Sequence, residues 1–111
     1  MLIIGVAMGY RSEVWIGVPN DRKQDFEEVD NSGLFYLEKE NDNIAIYYAD
    51  WLKWYKGNYE EVDNIVEFIE NLVAIGEDAF IVALGEDFAL HSEIGEYWYW
   101  LDIQLKIHIG I

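Results

Sequence analysis

The chain has no cysteine. That excludes a disulfide framework, a thiol nucleophile and a cysteine-based zinc site, and it fits a reducing compartment. It has a single proline, Pro19, and no Gly- or Ser-rich linker, so it reads as structured almost throughout. No apolar run approaches the roughly 18 residues of a membrane-spanning helix. The opening MLIIGVAMGY lacks the basic flank of a secretory signal, and a cytoplasmic location is expected. Bases are scarce: 7 Lys and Arg stand against 22 Asp and Glu, a net charge of −15. A small domain usually stays within a magnitude of about 2–8. Residues 57–105 carry twelve acids and no base, and Lys106 is the only base after Lys56. A one-sided field of this sign repels nucleic acid phosphates and anionic membranes. The partner it favours is a basic protein, with a solvated, salt-adapted surface as the bland alternative.

What is present is a core. Apolar residues make up 52% of 111 residues, enough to exclude disorder and to fold one domain over 1–111 without staples. The last fifteen residues, YWYWLDIQLKIHIGI, alternate with period two. Tyr97, Tyr99 and Leu101 share one face of a strand, and Trp98, Trp100 and Asp102 the other. Such a strand is longer than the domain is wide, at about 3.4 Å per residue. It is expected to bend, carry a bulge or reach past the domain toward a partner, a second copy in a homodimer included, and to be the central or longest strand of the sheet.

Earlier in the chain, Leu2 to Met8 and Glu13 to Val18 read as strands, the second ended by Pro19. Asn20 or Asp21 is placed to cap a short helix through Phe26 to Val29. Leu34 to Glu40 and Ile44 to Ala49 make a hairpin around Asn41-Asp42-Asn43, whose asparagines tolerate left-handed backbone. Trp51, Leu52, Trp54 and Tyr55 read as an irregular connection. A helix follows from Tyr59 to about Ile75, with Asn58 as N-cap, Glu61 at N3 and Gly76 as its stop. Val62, Ile65, Val66, Ile69, Leu72 and Val73 form its apolar stripe. Ala79 to Leu84 and Phe88 to Ser92 form a second hairpin. The expected fold is α+β: a twisted, mostly antiparallel sheet of about six to seven strands, with the one long helix (about 59–75) packed on one face.

Chemistry is thinly represented. His91 and His108 have no metal-ligand spacing, the serines sit at turns or strand ends without a nucleophile elbow, and no glycine-rich phosphate loop is present. No cofactor, metal or catalytic residue is expected, and the reading is non-enzymatic. The alternative is a small-ligand or carbohydrate site, binding or hydrolysing its ligand, on the aromatic face of the terminal strand: Trp98, Trp100, Asp102 and His91. There an apolar ring would raise a carboxyl pKa.

The distinctive feature is the outer face of the helix. Glu60, Asp63, Glu67 and Glu70 follow one another at spacings of 3, 4 and 3, which places them on one line, neighbours about 5–6 Å apart. Glu77, Asp78, Glu86 and Asp87 add acids at turns. Trp51 and Trp54 supply aromatic candidates for an interface anchor among acids. In size and charge the chain resembles DNA mimics, phage anti-restriction and anti-CRISPR proteins, and toxin-neutralising immunity proteins, a resemblance of type that rests on no family motif. It implies an inhibitor that occupies the basic groove of a DNA- or RNA-processing enzyme. Self-assembly through the terminal strand is a third class of function.

Overall fold

A computed structural model describes residues 11–54, 57, 59–85 and 90–96, of which 90–93 by backbone alone. Its strands are β1 (Ser12–Pro19), β2 (Tyr36–Glu40), β3 (Ile44–Leu52), β4 (Phe80–Gly85) and β5 (Leu90–Ile94). Its helices are α1 (Lys23–Val29), entered through the 3-10 turn Asn20–Arg22, and α2 (Glu60–Ala74). The sheet order is β2-β3-β1-β4-β5, every pairing antiparallel. The expectation of six to seven strands with one dominant helix is corrected: among the described residues there are five strands, and two helices share the packing. The strands expected at 2–8 and 97–111 lie outside the described residues. The central place among those described belongs to β1, whose edges are taken by β3 and β4.

The composition of β1 accounts for that place. Val14, Ile16 and Val18 point to one face and Trp15 to the other, and all are buried, as a strand covered on both sides requires. β3 and β4 are both antiparallel to β1, so they run parallel to each other. α2 makes the crossover between them, as a parallel relation demands. The first face packs β1 with Ala45, Tyr47 and Ala49 of β3 and Ile81 and Ala83 of β4 against both helices. Alanines at the sheet surface leave room for Ile65 and Ile69 of α2 to approach.

The second face gathers Trp15, Ile44, Ile46, Phe80, Val82 and Leu84, each no more than 7% exposed. Gly17 is required there. It lies opposite Phe80 in the register, and the Phe80 ring occupies the space a Cβ would need.

Local chemistry sets the connections. Asn20 and Asp21 do not cap α1: its N-cap is Arg22, without a side-chain cap bond. Asn20 Nδ2 instead donates to the Asn41 carbonyl. α1 is docked by Phe26, fully buried, with its ring 4.6 Å from Tyr47. It is further held by the Tyr47 hydroxyl, which donates to Glu27 Oε2 at 2.6 Å. The turn into β2 is closed by buried Asp30, whose two carboxylate oxygens accept from Leu34 N (2.9 Å) and Phe35 N (3.0 Å).

The β2–β3 hairpin has the expected loop but not the expected mechanism. Asn41 Oδ1 accepts from Asn43 N and Ile44 N, and no asparagine among the described residues has positive φ.

α2 ends as expected. Glu77 N donates to Leu72 O and Gly76 N to Val73 O, with Gly76 at φ +86°, the two bonds of a Schellman stop. Its start differs. The N-cap is Tyr59, Asn58 lies outside the described residues, and it is Asp63 Oδ1 that accepts from Gly57 N at 2.7 Å. β3 also runs further than expected, because Trp51 and Leu52 belong to it. Between Ser12↔Leu52 and Val14↔Ala49 the register slips by one residue. That β-bulge hides the alternation that would have marked the strand.

Candidate functional site

The apolar stripe of α2 fixes which of its residues face water. Val62, Ile65, Val66, Ile69 and Leu72 are buried against the sheet. Glu60, Glu61, Glu67 and Glu70 are exposed and Asp63 is half-buried. From Glu60 to Glu70 the helix advances about 15 Å at 1.5 Å per residue. Five carboxylates over that length give one charge per roughly 4 Å, close to the spacing of about 3.4 Å along one DNA strand. Asp63 has a second role, since its bond to Gly57 N ties the preceding loop to the first turns of the helix.

Arg22 and Lys23 form three ion pairs. Arg22 Nη2 meets Glu77 Oε2 at 3.0 Å, Arg22 Nη1 meets Asp25 at 3.5 Å, and Lys23 Nζ meets Glu40 at 3.0 Å. All three gather around the 3-10 turn that leads into α1. The Glu77 carboxylate, hydrogen-bonded to the Arg22 guanidinium, raises the Arg22 pKa further above its ordinary value. Glu77 is thus partly neutralised, while neighbouring Asp78 is exposed. Both line a hollow of about 230 Å³ at the C-terminal end of α2, which Glu96 also lines. Glu86 and Asp87 lie outside the described residues.

The two tryptophans proposed as anchors part company. Trp54 is 4% exposed and stands edge-on to Phe35 at 5.8 Å. It is a core residue, which removes it from any contact surface. Trp51 is 65% exposed. Its φ of 59° is the one positive value among described non-glycine residues. The Arg11 guanidinium lies 5.7 Å from its ring centroid, and Arg11 Nη1 donates to its carbonyl at 3.4 Å. Sequence reasoning passed over Arg11, because nothing local links positions forty residues apart. It also passed over Tyr59, 38% exposed, which lines a hollow together with Trp51 and Glu61.

Two phenols, Tyr47 buried and Tyr48 half-buried, were also unforeseen as contacts to carboxylates. Tyr47 is bonded to Glu27 and Tyr48 to Glu13, each at 2.6 Å. Burial first, then the neighbouring carboxylate, pushes both pKa values well above the ordinary phenol value.

Of the alternative ligand site, Trp98, Trp100 and Asp102 lie outside the described residues, and His91 is placed only as a backbone position on β5. Among the described residues no group of three or more His, Asp and Glu side chains is arranged to hold a metal, and no helix is long and apolar enough to cross a membrane.

No family model matches the chain, and neither does any curated protein or solved structure.

Proposed function

We propose that the protein is a non-enzymatic inhibitor that offers α2 as a substitute for a nucleic acid strand. In this reading it occupies the basic groove of a DNA- or RNA-processing enzyme in the cytoplasm, in the manner of anti-restriction, anti-CRISPR or toxin-immunity proteins. The observation that carries the reading is the outer face of α2. Glu60, Glu61, Glu67 and Glu70 are all exposed along one helix whose opposite face is buried against the sheet. A continuous anionic row steers a basic groove toward itself and gives fast, salt-sensitive association. The partner is a basic protein. The reading calls for no cofactor, no metal and no direct contact with nucleic acid or membrane.

The test is capture of a purified or extract-derived nuclease or polymerase at low salt, followed by challenge with duplex DNA. A competitor of nucleic acid is released by excess duplex, and Glu60→Lys with Glu67→Lys is expected to weaken capture at least tenfold. Both positions are exposed, so the fold is spared. Asp63 is the wrong residue to reverse, because its bond to Gly57 is structural. An enzyme held equally well in the presence of duplex DNA, or by the double variant, would rule out groove occupancy.

A further inference from the structure

Trp51 stands apart from every other side chain described. A tryptophan gains more than most residues from burial, yet this one is 65% exposed. A bulky residue at positive φ is an outlier that persists only where the surroundings hold it. Here the hold consists of the β-bulge at the end of β3 and Arg11, which bonds the Trp51 carbonyl and lies over the ring.

Two hollows, of about 250 and 230 Å³, share Trp51 and Arg11 as a common wall. The first is also lined by Glu13 and Asp50. The second runs to Tyr59 and Glu61, at the start of the acidic row of α2. The exposed ring and the row therefore belong to one surface.

We propose that Trp51 is the specificity anchor of this surface, and that its occupant is an arginine side chain of a basic protein partner. A guanidinium is planar and weakly hydrated, so it stacks on an indole and pairs with carboxylates at the same time. Arg11 already presents a guanidinium to this ring, and Asp50 and Glu61 flank it in the two hollows. A lysine ammonium is a compact, strongly hydrated charge and loses the stacking contribution. The inference rests on the acidic-surface reading above and adds a side-chain preference to it.

The experiment uses the full chain and two capped peptides, eight arginines and eight lysines, titrated at low salt by calorimetry. The wild type is expected to bind the arginine peptide about two- to fivefold more tightly than the lysine peptide. Trp51→Gly and Trp51→Asn are expected to shrink that ratio while leaving lysine-peptide affinity within about twofold. Both replacements accept left-handed backbone, so the urea midpoint should hold or rise. A ratio unchanged in either variant overturns the assignment. So does a midpoint lowered in both, which would make Trp51 a packing residue. If both peptides bind, and Glu60→Lys with Glu67→Lys weakens both while Trp51→Gly leaves the ratio alone, the acidic surface stands and this inference alone falls. If neither peptide binds the wild type, both fall together.

Discussion

Tyr47 and Tyr48 are neighbours in sequence and point to opposite faces of β3, yet each ends on a carboxylate. Tyr47 meets Glu27 above the helix face and Tyr48 meets Glu13 of the adjacent strand. Their phenols are held protonated by burial and by the acceptors they serve, so the folded pKa of each lies above the unfolded value near 10. The sign follows from linkage. Stability is complete below about pH 10, where folded and unfolded phenols are both protonated. It falls as pH rises past 10, because only the unfolded chain gives up the proton. Tyr47→Phe is therefore expected to cost about 1 kcal/mol at pH 7 through the lost bond. It is also expected to flatten the alkaline decline by up to about 1 kcal/mol per pH unit. Urea unfolding from pH 7 to 11 measures both, and parallel alkaline limbs for wild type and variant would refute the account. At this scale the sequence was a poor guide. Trp51 and Trp54 sit three apart in a stretch without alternation. Nothing in WLKW tells which ring is buried, because a bulge and a turn, not a period, decide it.

Among the elements, α2 was the most legible, since its stripe repeats at helical spacing and Gly76 marks its end. The stop is backbone chemistry that only glycine performs at low cost. Gly76→Ala should destabilise by about 1–2 kcal/mol, the cost of left-handed backbone for an L residue. A Cβ at that position meets nothing within 4 Å, so steric overlap does not enter. A midpoint within error of wild type in a urea titration would show that the Schellman bonds can be formed another way. The helix start was misplaced by one residue: its N-cap is Tyr59, without a side-chain cap bond, and Asp63 ties the loop ahead of the helix through Gly57 N. α1 was harder to read, because a seven-residue helix has room for a single buried residue, Phe26, and no stripe. β2 is exposed at every position, so no hydrophobic pattern draws its bounds. Its bulge between Leu37 and Lys39 and its charges suit a strand at the outside of a sheet.

At the scale of the whole molecule the sequence announced its charge but not its arrangement. A net charge of −15 strains any compact state by self-repulsion. Added salt is therefore expected to stabilise the protein. Raising sodium chloride from 10 to 300 mM shortens the Debye length from about 30 Å to about 6 Å and should lift the thermal midpoint by several degrees. A midpoint that falls with salt would mean that the three ion pairs near α1 outweigh the repulsion. If the proposed acidic surface captures a basic partner, the same screening weakens that capture, so stability and association should move in opposite directions along one salt series.

β1 sits between β3 and β4 although it precedes both, and Ser12 faces Gly85. A chain leaving the ribosome at about 5–20 residues per second would have that edge unmatched for on the order of 4–15 s. The hairpin that carries β3 reaches β1 first, and the remaining edge waits for β4. Until then the edge of β1 over Ser12 to Gly17, which pairs with β4, has backbone groups open to whichever strand arrives. A synonymous slow codon placed between 53 and 80 lengthens that wait, and with it the exposure of the newborn protein to aggregation.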